Sequence, residues 1–197
     1  MMSRERYALS GPMQRSITYN PMQLPHGAWS AGGTLVSLTG TFRDIPELED
    51  LAMGNSFQSS KIQAVLDWCS PINFSSMDEQ FTVSSLGKAN HYAADSAESK
   101  LFGESIALIP EDVKKADPET SITPDDPPFF IQHGTLDTQV PSQQSVEFAT
   151  KLEQVLGKDN VSLELIQGAD HADAMFSTTE NVNKVLDFLD KTIGTSR

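Results

Sequence analysis

Three short apolar runs along the chain have the pattern of buried strands. They cover residues 61–71 (KIQAVLDWCSP), 127–134 (PPFFIQHG) and 161–168 (VSLELIQG). Apolar side chains dominate each run, and a proline or glycine ends it. This composition is typical of strands that are covered on both faces, as in parallel sheets.

Two segments with helical periodicity follow the second and third runs. Residues 142–156 are predicted to place four side chains on one apolar face: Val146, Ala149, Leu152 and Leu156. Residues 180–193 are predicted to turn four others inward: Val182, Val185, Leu186 and Leu189. Strands alternating with helices predict the α/β class, with a mostly parallel sheet between layers of helices.

The first half of the chain is less regular. Residues 31–41 carry small and apolar residues at helical spacing, which predicts a helix that begins just after Ser30. Residues 1–26 are polar and contain prolines, so they are predicted to be irregular, with one short strand near 16–19. Residues 72–126 are predicted to be rich in loops, with short helices near 94–101 and 111–116. No shift in composition marks a boundary, so residues 1–197 are expected to form a single domain.

Ser30 is a candidate nucleophile because small residues surround it. A serine hydroxyl attacks an ester only when an imidazole takes its proton and a carboxylate orients that imidazole. A nucleophile on a sharp strand-to-helix turn also needs small neighbours two residues away on either side. Ala28 and Gly32 meet this need, so the motif is A-W-S-A-G where the usual form is G-x-S-x-G.

Asp137 and His171 are the candidate partners of Ser30. Asp137 follows the second apolar run in HGTLDTQVP, and His171 follows the third in GADHAD. Functional groups of an open parallel sheet gather at the carboxyl ends of its strands. The chain order of serine, acid and histidine is also the order that an α/β-hydrolase requires.

The remaining histidines and nearby acids fit these roles less well. His26 lies in a proline-flanked segment, His91 lies in the polar middle of the chain, and His133 ends a buried strand as a structural histidine would. Asp67 lies within an apolar strand, and Asp170 adjoins His171 too closely in sequence to orient it.

These motifs resemble those of α/β-hydrolase esterases of the acetyl-esterase and bacterial feruloyl-esterase-like branch, which are related to prolyl-oligopeptidase-like carboxylesterases. The matching stretches include SAGGTLVSLTGT, PELEDLAMGNSFQSSKIQAVLDWCSPINFSSMDEQ, AESKLFGESI and DDPPFFIQHGTLDTQVP. The resemblance extends over about residues 27–197. It implies that Ser30 attacks the ester, that Asp137 is the acid of an H-G-x-x-D motif, and that His171 is the base.

The chain departs from this family before Ser30. Members carry several strands and an H-G-G-type oxyanion loop ahead of the serine, whereas 29 residues precede Ser30 here. The segment NPMQLPHGAW stands where a central strand is expected, and Pro25 is poorly suited to one. The fold expected is therefore a partial α/β-hydrolase without its N-terminal strands. The backbone N–H of Ala31 is the one oxyanion donor that the sequence assigns.

Composition narrows the range of partners. The formal net charge of −13 disfavours nucleic acids and anionic membrane surfaces, which bind clustered lysine and arginine. The single cysteine, Cys69, excludes an internal disulfide and is predicted to be a small buried apolar residue. No signal peptide or membrane-spanning run is evident, which gives a cytoplasmic location by default. No cofactor and no metal site are expected.

Three functions remain open at this point. The first is a serine carboxylesterase for short acyl or aryl esters of the acetyl and feruloyl type, including esters that decorate plant polysaccharides. The second is a catalytically weak hydrolase remnant that acts through association, because an uncovered sheet edge favours a homo-oligomer. The third, a metal-dependent hydrolase using Asp170 and His171, lacks the usual ligand spacing. If His171 is the base, turnover is expected to rise through about pH 6–7.5.

Overall fold

The fold is built around a parallel sheet of four strands. The computed structural model describes residues 6–8, 16–18, 25–42, 52 and 61–194. Two short strands, β1 (Arg6–Ala8) and β2 (Ser16–Thr18), form a separate antiparallel pair. The main sheet has the order β3 (Pro25–Trp29), β4 (Ala64–Trp68), β5 (Phe129–Gly134) and β6 (Val161–Ile166).

Within the described residues, six α-helices connect and cover these strands. They are α1 (Ala31–Thr41), α2 (Met77–Ser84), α3 (Ala97–Phe102), α4 (Pro110–Lys115), α5 (Gln143–Leu156) and α6 (Thr179–Thr192). This arrangement is a partial α/β-hydrolase fold, as the sequence predicts. None of the helices in the described ranges is long and apolar enough to cross a bilayer.

Apolar side chains cover both faces of the sheet. On one face, Phe129 and Ile131 of β5 pack with Phe148 and Leu152 of α5. On the other face, Phe130 of β5 packs in a cluster with two groups of residues. These are Ala64 and Leu66 of β4, and Val185, Leu189 and Ile193 at the end of the chain. Two-sided burial of β5 explains why its sequence is apolar at consecutive positions.

The prediction for the apolar face of α5 is wrong at one position. Val146 is 36% exposed, whereas Phe148 is fully buried and makes an edge contact with Phe129. The helix turns by about 100° per residue, so the buried stripe runs through Ser145, Phe148 and Leu152. In α6, Val182 is only half-buried, while the other three predicted positions are buried.

Residues 25–29 form a strand, which corrects the expectation that Pro25 disrupts this segment. Pro25 opposes Ala64 and is the first residue of β3, where a missing N–H costs least. His26 therefore lies in a strand and not in a loop. Helix α2 was not predicted. Most of residues 1–26 lie outside the described residues, and so does the part of the family-like motif in residues 46–60 apart from Ala52.

Helix α1 packs closely on β4 through Gly33. An added Cβ at Gly33 would lie 1.7 Å from Ser70 Oγ and 3.0 Å from both Ser70 Cβ and Asp67 Oδ1. Asp67 is fully buried and accepts hydrogen bonds from the hydroxyls of Ser70 and Ser37. Burial raises the pKa of Asp67 even though both hydroxyls favour its charged form.

We expect Gly33→Ala to lower the free energy of unfolding by about 1–3 kcal/mol, because the methyl group overpacks this contact. Alanine gains about 1 kcal/mol in helix propensity over glycine, but rotating the Ser70 hydroxyl away still leaves two contacts at 3.0 Å. Urea unfolding followed by circular dichroism measures the difference. Leu35→Ala, in the same helix at a side chain 64% exposed, is the control and should change stability by less than about 0.5 kcal/mol. Equal stability of Gly33→Ala and the parent would contradict the close contact.

Candidate active site

Ser30 lies on the sharp turn between β3 and α1. Its backbone has φ 51° and ψ −127°, which is strained for a residue with a side chain. The backbone N–H of Ser30 donates to the carbonyl of Trp68 (2.9 Å), which ties the turn to β4. A Cβ added at Gly32 would lie 3.0 Å from the Cβ of Ala28. This near contact across the turn explains why both flanking residues are small.

The structure brings Ser30, His171 and Asp137 into one hydrogen-bonded chain. Nε2 of His171 lies 3.0 Å from Ser30 Oγ, and Nδ1 lies 2.7 Å from Asp137 Oδ2. These contacts join positions separated by 141 and 34 residues in the sequence. Ser30, Asp137 and His171 all follow strands whose carboxyl ends meet at the same edge of the parallel sheet.

Asp137 is buried and fully supported by donors. Its Oδ1 accepts the backbone N–H groups of Gln139 and Val140, each at 2.8 Å. Its Oδ2 faces Nδ1 of His171 and also lies 3.2 Å from Nε2 of His133. Burial alone would favour the protonated acid, but these donors outweigh it and hold the pKa of Asp137 well below its usual range. Asp137 is therefore a carboxylate at neutral pH.

His133 is a structural histidine that also contacts Asp137. Its Nδ1 lies 2.7 Å from Ser145 Oγ, while its Nε2 lies 3.0 Å from the carbonyl of Val140. Because Val140 O and Asp137 Oδ2 are both acceptors, the proton belongs on Nε2, and Nδ1 accepts from the Ser145 hydroxyl. The sequence predicts the buried structural role but not the contact with Asp137. The spacing of four residues between His133 and Asp137 in HGTLD is the feature of the sequence that could have indicated this contact.

Hydrogen bonds connect the turn that carries His171 to the turn that carries Asp137. Oδ1 of Asp170 accepts the N–H groups of Thr138 (2.9 Å) and His171 (2.7 Å). A Cβ at Gly134 would lie 2.4 Å from the carbonyl of Ala169, so only glycine allows this approach. Asp170 therefore holds the two turns together through backbone hydrogen bonds.

Cys69 lies beside the imidazole and the carboxylate, which the sequence did not predict. The residue follows β4, is fully buried, and has a positive φ of 46°. Its sulfur, a ring nitrogen of His171 and a carboxylate oxygen of Asp137 all lie within 4.8 Å of one another. Burial favours the neutral imidazole, but the hydrogen bonds with Asp137 and Cys69 outweigh it and raise the pKa of His171 to about 10.

Two cavities meet at the N-terminus of α1. The first, of about 600 Å³, contacts Ser30 and His171 and is lined by polar side chains that include Lys88, Asn90 and Glu98. The second, of about 640 Å³, is mostly apolar. Its apolar lining includes Leu35, Leu38, Phe74, Leu101 and Phe102. Both cavities touch Ala31, the first residue of α1.

His91 contributes to the wall of the first cavity. It is buried, stacks on Phe81, and places Nδ1 2.6 Å from Oδ1 of Asp78. Its Nε2 faces the carbonyl of Gln139 at 3.4 Å, so it links α2 to the turn that supports Asp137. The two ring nitrogens of His91 therefore face Asp78 and Gln139.

A sequence model of the BD-FAE family matches residues 18–152, which is more than half of the chain. The chain belongs to the BD-FAE family. The matched region contains Ser30, Cys69 and Asp137 and ends before His171. Among curated proteins, none matches this BD-FAE chain significantly by sequence.

Solved structures with a similar fold include enzymes that act on carbohydrates. A bifunctional GH43-CE protein from Bacteroides eggerthii is 28% identical over 85% of this chain and 21% of its own, with a TM-score of 0.68. A truncated carbohydrate esterase from gut microbiota is 20% identical over 88% of this chain and 60% of its own, with a TM-score of 0.68. The acetyl ester-xyloside bifunctional hydrolase of Caldicellulosiruptor lactoaceticus is 18% identical over 89% of this chain and 59% of its own, with a TM-score of 0.63. The BD-FAE chain thus spans at most 60% of the length of these three proteins.

Proposed function

We propose that this chain is a serine carboxylesterase in which Ser30 is the nucleophile, His171 the general base and Asp137 the orienting acid. The observation that carries the proposal is the continuous hydrogen-bonded path from Ser30 Oγ through the imidazole to a buried carboxylate. The path opens into a cavity at the N-terminus of a helix. Membership of the BD-FAE family supports the reaction class.

The proposed reaction proceeds through an acyl-enzyme. Ser30 Oγ attacks the ester carbonyl while Nε2 of His171 takes the hydroxyl proton and then delivers it to the leaving alcohol. Water repeats the sequence, releases the acid and restores Ser30. The N–H of Ala31 stabilises the developing oxyanion, because the leading N–H groups of a helix have no acceptor within it. Among the described residues we assign no second donor, and one missing donor typically costs about 10²–10³ in turnover.

The two cavities suit different parts of the proposed substrate, one polar and one apolar. The polar cavity beside Ser30 suits the hydroxyl-rich alcohol of a sugar ester, and its volume of about 600 Å³ is within the usual range for a small-molecule site. The apolar cavity beyond Ala31 suits an acyl or aryl group. Similar structures include a carbohydrate esterase and an acetyl ester-xyloside bifunctional hydrolase. We therefore propose short acyl or aryl esters on polysaccharides as the natural class of substrate.

A panel of esters tests this proposal. We expect the purified chain to hydrolyse p-nitrophenyl acetate, methyl ferulate and acetylated xylan faster than Ser30→Ala at the same protein concentration. Ser75→Ala, which alters an exposed serine outside the cavity, serves as the control and should match the parent. Equal release by the parent and Ser30→Ala on every ester would contradict the proposal.

The pH dependence follows from the groups that face His171. Asp137 and Cys69 raise the pKa of this imidazole to about 10, and the base must be neutral to act. We therefore expect kcat/KM for a neutral ester to rise well beyond neutrality, above the range of about pH 6–7.5 expected from a base near its unperturbed pKa. Rates measured across a pH series, with spontaneous hydrolysis subtracted, provide the test. A rise complete by pH 7 would contradict the effect of these two neighbours.

A second candidate function, association with another copy of the chain, is favoured by the position of β3. Among the described residues, β3 pairs only with β4, and its other side is the edge of the sheet. An unpaired edge is a template for another strand. We propose that two copies pair along β3. Light scattering after size-exclusion chromatography at tens of micromolar protein is expected to give the mass of a dimer or larger species. A monodisperse monomer would contradict this.

A further inference from the structure

Cys69, Asp137 and His171 combine three metal-binding side chains in the buried layer behind the nucleophile. Their ligand atoms lie within 4.8 Å of one another, and each residue follows a different strand of the sheet. A thiolate, an imidazole and a carboxylate are all ligands that zinc accepts. The proposed ester hydrolysis uses Nε2 of His171 and leaves the thiol without a function.

We infer that these three side chains form an inhibitory site for a thiophilic divalent cation such as Zn²⁺ or Cd²⁺. The ion would bind Cys69 Sγ, Nδ1 of His171 and a carboxylate oxygen of Asp137. Zinc ligands lie about 2.0–2.3 Å from the ion. Bringing the three atoms to tetrahedral spacing from within 4.8 Å therefore needs a movement on the order of 1 Å.

Charge balance favours such an ion in this environment. The neighbours of Cys69 are apolar and include Ala169, Phe176 and the ring of Trp68. A divalent ion bound by one thiolate, one carboxylate and one neutral imidazole has no net charge, so an electroneutral group occupies the buried layer. Hard cations such as Mg²⁺ prefer oxygen ligands and retain water, so the sulfur selects against them.

The ion would switch off the base by changing its tautomer. On binding, the Cys69 thiol and Nδ1 of the protonated imidazole each lose a proton to solvent, and the metal takes the lone pair freed on Nδ1. The neutral imidazole keeps one proton, which must then be on Nε2. Nε2 then donates to Ser30 Oγ and no longer accepts its proton. The inhibition is reversible, because a chelator that removes the ion allows the proton to return to Nδ1 beside Asp137.

The cavity beside Ser30 provides a route to the site. His171 lines this cavity and is also within 4.8 Å of the thiol through its ligand nitrogen. An ion that enters the cavity is therefore separated from Cys69 by one side chain. That side chain is on a turn with a left-handed residue, Ala172, directly after it.

Cadmium titration tests binding without any measurement of activity. We expect the parent chain to develop the ultraviolet absorption of a cadmium–thiolate bond with one ion per chain, and Cys69→Ser to develop none. Asp137→Asn should bind cadmium at least about tenfold more weakly than the parent. Asp173→Asn, which alters a nearby carboxylate outside the site, is the control and should bind like the parent. No absorption in the parent, or equal affinity in Asp137→Asn, would overturn the three-ligand site.

The inhibition itself rests on the proposed esterase function and is tested separately. We expect Zn²⁺ to reduce ester hydrolysis by the parent and EDTA to restore it, while Mg²⁺ at the same concentration has no effect. Relative to its own metal-free rate, Cys69→Ser should need at least about tenfold more Zn²⁺ for the same inhibition. Equal sensitivity of Cys69→Ser would overturn the proposed inhibition. A chain that binds cadmium but hydrolyses no ester would contradict the esterase proposal and leave the metal site supported.

Discussion

Replacing Ser30 with alanine is expected to reduce ester hydrolysis by at least about 10³-fold. The hydroxyl 3.0 Å from Nε2 of His171 is the group that we propose forms the acyl-enzyme. Members of a catalytic triad act as a unit, so removing the nucleophile leaves only binding and oxyanion stabilisation. Initial rates with p-nitrophenyl acetate, at several protein concentrations, measure the loss.

The variant should fold like the parent, which separates loss of chemistry from loss of structure. Alanine keeps the Cβ and the backbone bond from residue 30 to the Trp68 carbonyl. We therefore expect the thermal unfolding midpoints of Ser30→Ala and the parent to coincide. Activity in Ser30→Ala equal to that of the parent would show that another group attacks the ester.

Replacing Asp137 with asparagine is expected to lower kcat by about 10⁴-fold, the loss typical of removing the charge from the acid of a triad. Oδ2 accepts from Nδ1 of His171 at 2.7 Å and keeps the proton on that nitrogen. An asparagine amide placed against Nδ1 favours the other tautomer, in which Nε2 carries the proton and cannot accept one from Ser30. Steady-state kinetics with a single ester provides the measurement.

The pH profile of Asp137→Asn gives a second readout of the same contact. The carboxylate is the main group that raises the pKa of His171 against the effect of burial. Its removal should therefore move the remaining pH-dependent rise to lower pH than in the parent. Asp112→Asn, at an exposed carboxylate in α4, is the matched control and should leave both kcat and the profile unchanged. An unchanged profile in Asp137→Asn would contradict the pairing of Asp137 with His171.

The sequence predicts the framework of this site because its features are local. A small-residue turn followed by helical periodicity locates Ser30, and apolar runs ending at glycine locate the strands that carry the other candidates. The parallel topology then brings the carboxyl ends of these strands to one edge. Three residues separated by as many as 141 positions could therefore be grouped from strand order alone.

Contacts that depend on side-chain direction could not be predicted in the same way. Cys69 has the composition of a buried apolar position, and its sulfur lies near the imidazole only through the packing of strands that are distant in the sequence. His133 has the pattern of a strand end, but its Nε2 also reaches Asp137. Pro25 argues against a strand from composition, yet it is tolerated as the first residue of β3. In each case, the contacts of the residue depend on the tertiary structure, which local composition does not determine.

Labelling with a fluorophosphonate probe, followed by peptide mapping, tests most directly whether Ser30 is an activated nucleophile. The probe reacts with a serine whose proton is taken by a neighbouring base, whatever the natural ester. We predict a single phosphonylated site at Ser30 in the parent, strongly reduced labelling in His171→Ala, and labelling like that of the parent in Ser75→Ala. An unlabelled Ser30, or equal labelling of the parent and His171→Ala, would contradict the proposed catalytic site.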